Sequence, residues 1–441
     1  MSPDALIAHF VAASAVILVA AHAAGWVARR LGQPYIVGQL AAGIALGPSL
    51  LGSAAPGAYD ELFPDGIGTA LTGIAQLALV VFLFSVGYEL DVRLLGGRAR
   101  TTVAVALASF VVPMAVGSGG ALLLRDQLHS LGMPRELSPS MVVFAGIALS
   151  ITAVPVLSAI VRENGLAPTV PGVVAVTAAG LLDVICWTVL AGTMMEDGEG
   201  HTLEWPWRAA LAVGFVALML VTARPLLRRL LWGTHVDSSL RLAMLIGLAL
   251  GSAWVTHSLG LHVIFGALLA GVVTPREPGG TLDADLVRPL HEVGALLLPF
   301  FFVVSGRSVS VTGMDAMGWV AVLVVTVLAV VTKIGSGAVT ARLGGLDRHE
   351  ARTVGVLLSA RGLTELIALD AGLRAGLLSV PLYTVLVFMA LATTLLTQPL
   401  LALVRRRAEQ EPRRARRAAR TPFPPAGDQG DTPPARVADA G

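Results

Sequence analysis

The sequence predicts an all-α polytopic membrane protein with about thirteen transmembrane helices, and three observations carry that prediction. Of 441 residues, 55% are apolar and only 14% charged, and the mean hydropathy is +0.76, more apolar surface than one soluble core can enclose. The apolar residues gather in stretches near the ~20 residues that cross a bilayer as a helix, divided by charged or Gly/Pro-rich breaks. The ionisable residues inside those stretches are few and mostly isolated. Lipid offers backbone groups no partner, so a spanning segment of this length must satisfy them within itself, as a helix. The near balance of 31 Lys and Arg against 29 Asp and Glu, a formal charge of +2, gives no nucleic-acid footprint. A single cysteine, Cys186, excludes an internal disulfide framework and a cysteine-cluster metal site.

In order, the stretches run over 5–28, 34–52, 67–88, 101–124, 138–161, 169–195, 207–231, 239–257, 260–274, 288–306, 316–341, 350–374 and 381–404. The uncharged run over 242–275, at 34 residues, is too long for one crossing, and His257-Ser258-Leu259-Gly260 divides it into two helices and a tight turn. The first stretch lacks the basic flank and cleavage site of a signal peptide, so it reads as a span. Within the fourth, Gly117-Ser118-Gly119-Gly120 reads as a close helix-packing surface.

An odd number of spans places the termini on opposite sides, and basic loop residues choose between the sides. Loops after odd stretches carry fifteen arginines, among them Arg29, Arg30, Arg93, Arg162 and Arg348, while loops after even stretches carry five. The odd loops are therefore expected in the cytoplasm, with the N-terminus outside and the C-terminus inside a cell membrane. The outer loops are acidic, as at Asp60-Glu61 and Glu196-Asp197, and Trp205 and Trp207 fit an interfacial belt. Residues 1–404 are thus expected to form one transmembrane domain. The segment 405–441, starting with Arg405-Arg406-Arg407 and ending rich in Pro, Gly and Asp, is expected to be a disordered cytoplasmic tail that rests on anionic lipid. The tail has no strand followed by G-x-G-x-x-G, so no nucleotide-binding regulatory domain is expected.

An ionisable side chain in lipid is costly unless it faces a cavity or a partner, so each is a functional candidate. The sixth stretch holds one near its middle, Asp183. The eleventh holds Lys333, the sole lysine among 31 basic residues and eight residues from the nearer end of its stretch. Snorkelling explains it poorly, since arginine would serve equally and is this chain's habitual choice. The twelfth holds Arg361, Glu365 and Asp370. Arg361 and Glu365 are four apart and share a helix face, so they form either an ion pair that steadies an irregular helix or a direct contact with a transported ion. A lone carboxylate in a water-accessible cavity can exchange H⁺ for a monovalent cation by competition at one site, and oxygen ligands suit Na⁺ or K⁺ rather than soft metals. An ammonium nearby can tune that site or occupy it when the cation is absent.

The fifth stretch reads Ala148-Leu149-Ser150-Ile151-Thr152-Ala153-Val154-Pro155, and a mid-span proline opens the helix beside the Ser150 and Thr152 hydroxyls. The twelfth reads Leu358-Ser359-Ala360-Arg361-Gly362 at a similar depth. Such breaks survive in a membrane only inside protein or along a cavity. The fifth and twelfth stretches are seven apart, as are the fourth and eleventh and the sixth and thirteenth, and an odd offset inverts orientation. That is the arrangement of an inverted repeat with two crossing broken helices.

Several motifs now resemble the monovalent cation/proton antiporter superfamily, most closely its branch of plant cation/H⁺ exchangers and bacterial potassium-efflux antiporters. They are the run from Gly38-Gln39-Leu40 to Gly47-Pro48-Ser49, the run from Val81 to Tyr88-Glu89-Leu90-Asp91, Ser150–Leu157, Phe265–Gly271, Leu298–Gly306 and Arg361–Ile367. The resemblance implies thirteen helices, a dimerisation panel, a mobile six-helix core and elevator-like alternation. It also implies that Asp183 carries the ion, that Thr152 belongs to the unwound crossing, and that Lys333 is the core lysine. Where the family usually has a polar residue before the aspartate, this chain has Leu182, so the second carboxylate of electrogenic members is missing. The expectation is a homodimeric transporter, not an enzyme, without a cofactor, exchanging Na⁺ or K⁺ for H⁺ one for one at Asp183. Ser150 and Thr152 join Asp183 at the ion and proton site, and Lys333, Arg361 and Glu365 are its charged partners. The alternative is proton-coupled export of a small organic solute on the same scaffold. Without H-E-x-x-H or an intramembrane Ser/His pair a protease is disfavoured, and His257 and His262 read as interfacial.

Overall fold

The structure is a computed structural model, and it describes residues 3–89, 98–196, 205–233, 237–277 and 282–418. Leu90, Asp91, Arg93, Asp197 and the tail from 419 onward lie outside these residues. Among the described residues the chain is helix, turn and coil with no strand. The helices are α1 (Pro3–Arg30), α2 (Tyr35–Ala45), α3 (Pro56–Leu62), α4 (Ile67–Glu89), α5 (Ala99–Leu123), α6 (Arg125–Ser130), α7 (Pro139–Ser150), α8 (Val154–Glu163) and α9 (Val170–Glu196). They continue with α10 (Trp205–Leu218), α11 (Arg224–Gly233), α12 (Ser238–Ser258), α13 (Val263–Val273), α14 (Ala284–Arg307), α15 (Ala316–Leu343), α16 (Arg348–Leu358), α17 (Leu363–Arg374) and α18 (Val380–Ala418).

Among the described residues each apolar stretch is occupied by helix, and ten helical segments are long and apolar enough to cross a membrane. The difference from thirteen has a local cause at each remaining stretch. The helix α2 stops at Ala45 ahead of Gly47-Pro48, α13 has only 11 residues, and the stretch of α16 and α17 is interrupted and charged. The turn between α12 and α13 falls at Leu259–His262, where the sequence divides the long apolar run. The start of α16 has a reciprocal cap: Asp347 Oδ1 accepts from the Glu350 amide at 2.8 Å, and the Asp347 amide donates to Glu350 Oε2 at 3.1 Å. At the other end of the chain α18 runs on to Ala418, so the first part of the basic tail is helical where disorder is expected. Its Ala, Arg, Glu and Gln content favours a helix that has already been nucleated.

The helices pack in two groups. One contains α1, α2, α4, α12, α13 and α14; the other contains α5, α7, α8, α9, α15, α16, α17 and α18. In the first group, glycines let backbones touch. A Cβ on Gly271 would lie 2.1 Å from the Phe84 carbonyl oxygen, and one on Gly43 would lie 2.3 Å from that of Phe302. Both glycines belong to the motif runs, and close approach is what they permit. In the second group Gly117 of α5 does the same, its Cβ position 2.7 Å from the Ala145 carbonyl oxygen of α7, whereas Gly119 and Gly120 face open space. Only the first glycine of that cluster therefore packs.

Candidate functional site

Two helix breaks meet inside the second group. Between α7 and α8 the chain is extended at Ile151, and between α16 and α17 it opens over Ser359–Gly362. The amide of Ala153 donates to the Ala360 carbonyl at 3.2 Å, and the Thr152 hydroxyl donates to the Leu358 carbonyl at 3.0 Å. Each break thus supplies partners that the other lacks. Pro155 sits in the first turn of α8, where its missing N–H costs nothing, so the proline starts a helix here rather than kinking one.

The end of α7 leaves carbonyls without helical partners, at the negative end of its dipole. Two buried cations meet them. The Arg361 guanidinium donates to the Ala148 and Leu149 carbonyls, each at 2.6 Å, and to Glu365 Oε1 at 2.5 Å. The Lys333 ammonium donates to the Ser150 carbonyl and to the Ser109 carbonyl of α5, the latter at 2.8 Å. Arg361, Glu365 and Lys333 are all fully buried. Of the two sequence readings for Arg361 and Glu365, the ion pair is present, and it also ties α17 to the end of α7. Glu365 lies in the first turn of α17, at the positive end of that helix dipole.

Asp183 lies on α9, which packs against α5, α7, α8 and α16. It is 1% exposed, and its Oδ2 has no hydrogen-bond partner. Lys333 acts on it through space, but its ammonium is bonded to carbonyls rather than to the carboxylate. The sequence expects Asp183 in a water-accessible cavity, and the structure holds it buried within the helix group instead. Leu182, fully buried beside it, adds no polar atom that could draw water in. The Ser150 hydroxyl donates to the Phe110 and Gly146 carbonyls at 3.0 and 2.9 Å, and Asp370 pairs with Arg374 at 2.8 Å, away from the crossing.

A cavity of about 320 Å³ opens between the two groups. Gln39, Ser85, Glu89 and His291 line one wall, and Pro155, Val156 and Glu163 of α8 line the other. Its inner end reaches the first turn of α8, and Asp183 does not line it. A much smaller void beyond it, bounded by Val37, Leu40, Gly362 and Leu363, shares Ile36 with the cavity.

The family model described as sodium/hydrogen exchanger, transmembrane, matches residues 17–403. The chain belongs to that family. Cation/H(+) antiporter 19 of Arabidopsis thaliana is a relative 35% identical over 382 residues, covering 85% of this chain and 47% of the relative. The chain spans about half the length of the Arabidopsis relatives it matches. The Na(+)/H(+) antiporter NhaS4 of a Synechocystis species is 30% identical over 88% of this chain and 95% of its own length. The solved sodium proton antiporter MjNhaP1 of Methanocaldococcus jannaschii is similar in fold, with a TM-score of 0.66 at 12% identity, covering 90% of this chain and 96% of that one.

All six site residues named from the sequence except Asp183 are linked by hydrogen bonds around the crossing, and Asp183 lies on the helix packed against it. Sequence reasoning misses the carbonyls of Ser109 and Phe110, which hold Lys333 and Ser150, because a backbone acceptor leaves no mark in the residue type. It also misses Thr394 of α18, whose hydroxyl donates to the Arg361 carbonyl at 2.8 Å. A run of threonines within an apolar span, Thr393-Thr394 and Thr397, is the signal that could have found it.

Proposed function

We propose that this protein is a secondary antiporter that exchanges Na⁺ or K⁺ for H⁺ across the cell membrane by alternating access at one carboxylate, Asp183. The single observation that carries the proposal is a buried acid with an unsatisfied oxygen and, unlike Glu365 and Asp370, no arginine bonded to it, on a helix packed against two broken helices. An unsatisfied carboxylate at that depth is unfavourable unless a proton or a cation completes it, and each excludes the other. Thr152 and Ser150 frame the opened backbone; Lys333, Arg361 and Glu365 hold its charges in balance. The relatives' names specify cations, Na⁺ or K⁺, which supports an alkali ion over the organic-solute alternative.

The stretches seven apart are inverted copies, thirteen crossings in all. The first group of helices is the static panel through which two copies pair, and the second is the part that moves. The sparse contact between the groups supports this division, since an elevator needs a surface along which to slide. The cavity faces the cytoplasm, with the ends of α1, α4 and α8 on the arginine-rich side. Glu365 is paired with Arg361 through one oxygen, and with Asp183 as the one carrier the exchange is electroneutral. Each charge moved would add about 2.3 kcal/mol per 100 mV. In proteoliposomes with the potential clamped by an ionophore, the initial rate of cation-driven proton flux should therefore be the same at 0 and about −100 mV; a steep voltage dependence refutes electroneutrality.

A further inference from the structure

The cavity is lined by several polar groups that the exchange site does not use, and one of them lies deep within it. Gln39 is on α2, between Gly38 and Leu40 in an otherwise apolar helix, and it is 4% exposed. Its side-chain amide makes no hydrogen bond to any described residue, although it lines the cavity. With no partner among the described residues, the amide turns to whatever fills the cavity, water or an ion. Farther along the same wall, Ser85 donates to Glu89 Oε1 at 3.2 Å, and His291 of α14 meets the same oxygen at 2.5 Å. The cavity's charged groups are Arg29, Glu89, Glu163 and His291. At about 320 Å³ the space is large enough for several waters, so an alkali ion can stand in it still hydrated. Beyond Gln39, at Ile36 and the small void, that room ends.

We propose that Gln39 forms a second cation station, where its side-chain carbonyl replaces water on a Na⁺ or K⁺ ion at the inner end of the cavity before the ion passes to Asp183. The chemistry fits the ion. A hard monovalent cation takes neutral oxygen ligands in exchange for water, and an amide carbonyl is a strong one. The same amide does not bind a proton near neutral pH, so this station distinguishes the cation from H⁺ where Asp183 cannot. Glu89, fixed by Ser85 and His291, and Glu163 place two carboxylates on the route into the cavity. The station serves only the side to which the cavity opens, so its effect is one-sided.

The inference rests on the antiport reading, and the test separates the two. Proton flux driven by Na⁺ and by K⁺ is measured in everted and in right-side-out membrane vesicles carrying wild type, Gln39→Leu or Gln39→Glu, with folding checked by gel filtration. If the wild type shows no cation-driven proton flux, the antiport reading itself fails and the station with it. If it does, Gln39→Leu should raise the cation KM by about tenfold in one vesicle orientation only. Its maximal rate, its KM in the other orientation and its pH profile at saturating cation should stay within about twofold of wild type. Gln39→Glu, which keeps the oxygen and adds charge, should lower the same one-sided KM, and it decides the question if the leucine variant does not fold. An unchanged KM in both orientations, or an equal rise in both with a lower maximal rate, overturns the proposal.

Discussion

Arg361 shows how much one side chain does at the crossing. Its guanidinium satisfies two carbonyls of α7 and one carboxylate, all out of reach of water. Removing one member of a buried ion pair leaves the other uncompensated, a loss of about 3–5 kcal/mol. Arg361→Met should therefore lower the thermal midpoint in detergent sharply. Adding Glu365→Met should recover part of that loss and not all, because the Ala148 and Leu149 carbonyls stay orphaned at about 1–3 kcal/mol each. Full recovery in the double variant is the result that removes the carbonyls from the account. Lys333 is different: the sequence marks it as the sole lysine and suggests a partner for Asp183, but its ammonium is spent on the Ser109 and Ser150 carbonyls. Lys333→Arg should not substitute, since a planar fork is wider than the fully buried slot that holds a compact ammonium. Exchange as fast as wild type in that variant contradicts this fit.

At the scale of elements, the two broken helices hold each other open. Thr152→Val keeps the shape and removes the hydroxyl that bonds to Leu358, so it should cost about 1 kcal/mol of stability and slow exchange without changing which cation is carried. Thermal shift and flux assays check both parts, and a Thr152→Val protein as fast and as stable as wild type removes the hydroxyl from the mechanism. Much of this geometry is legible in the sequence. A proline and hydroxyls in mid-span, and a small-residue interruption seven stretches later, mark both breaks because helix-breaking residues act locally. What the residues do not announce is direction: which carbonyl each cation meets, and the fact that Pro155 begins α8 rather than bending a continuous helix. The burial of Asp183 away from the cavity is illegible for a similar reason, since it depends on how α9 settles among its neighbours and not on α9 alone. The cavity amide Gln39 sits in a motif run, yet only the wall around it shows that no described residue partners it.

At the scale of the molecule, the account requires the two helix groups to move past each other. Ile36 of α2 and Leu391 of α18 both line the small void between the groups. With Cys186 replaced by Ala, cysteines introduced at these two positions and joined by a short bifunctional thiol reagent should stop exchange by more than about tenfold. A reagent with a reducible spacer should restore it on reduction. Undiminished flux in the cross-linked protein contradicts relative motion. In the first helix group glycines let backbones touch, so Gly271→Val, which forces a side chain against the Phe84 backbone, should destabilise it by at least the ~1–3 kcal/mol of ordinary overpacking. Fluorescence-detected gel filtration after heating registers that loss.

The most direct measurement is cation-induced proton flux in proteoliposomes with wild type and Asp183→Asn side by side. The buried amide keeps the shape of the carboxylate but can neither release a proton nor carry a negative charge to the cation. The expected result is a protein that elutes as a single folded species and shows no flux above that of empty liposomes. A folded Asp183→Asn protein that exchanges at the wild-type rate contradicts the central claim.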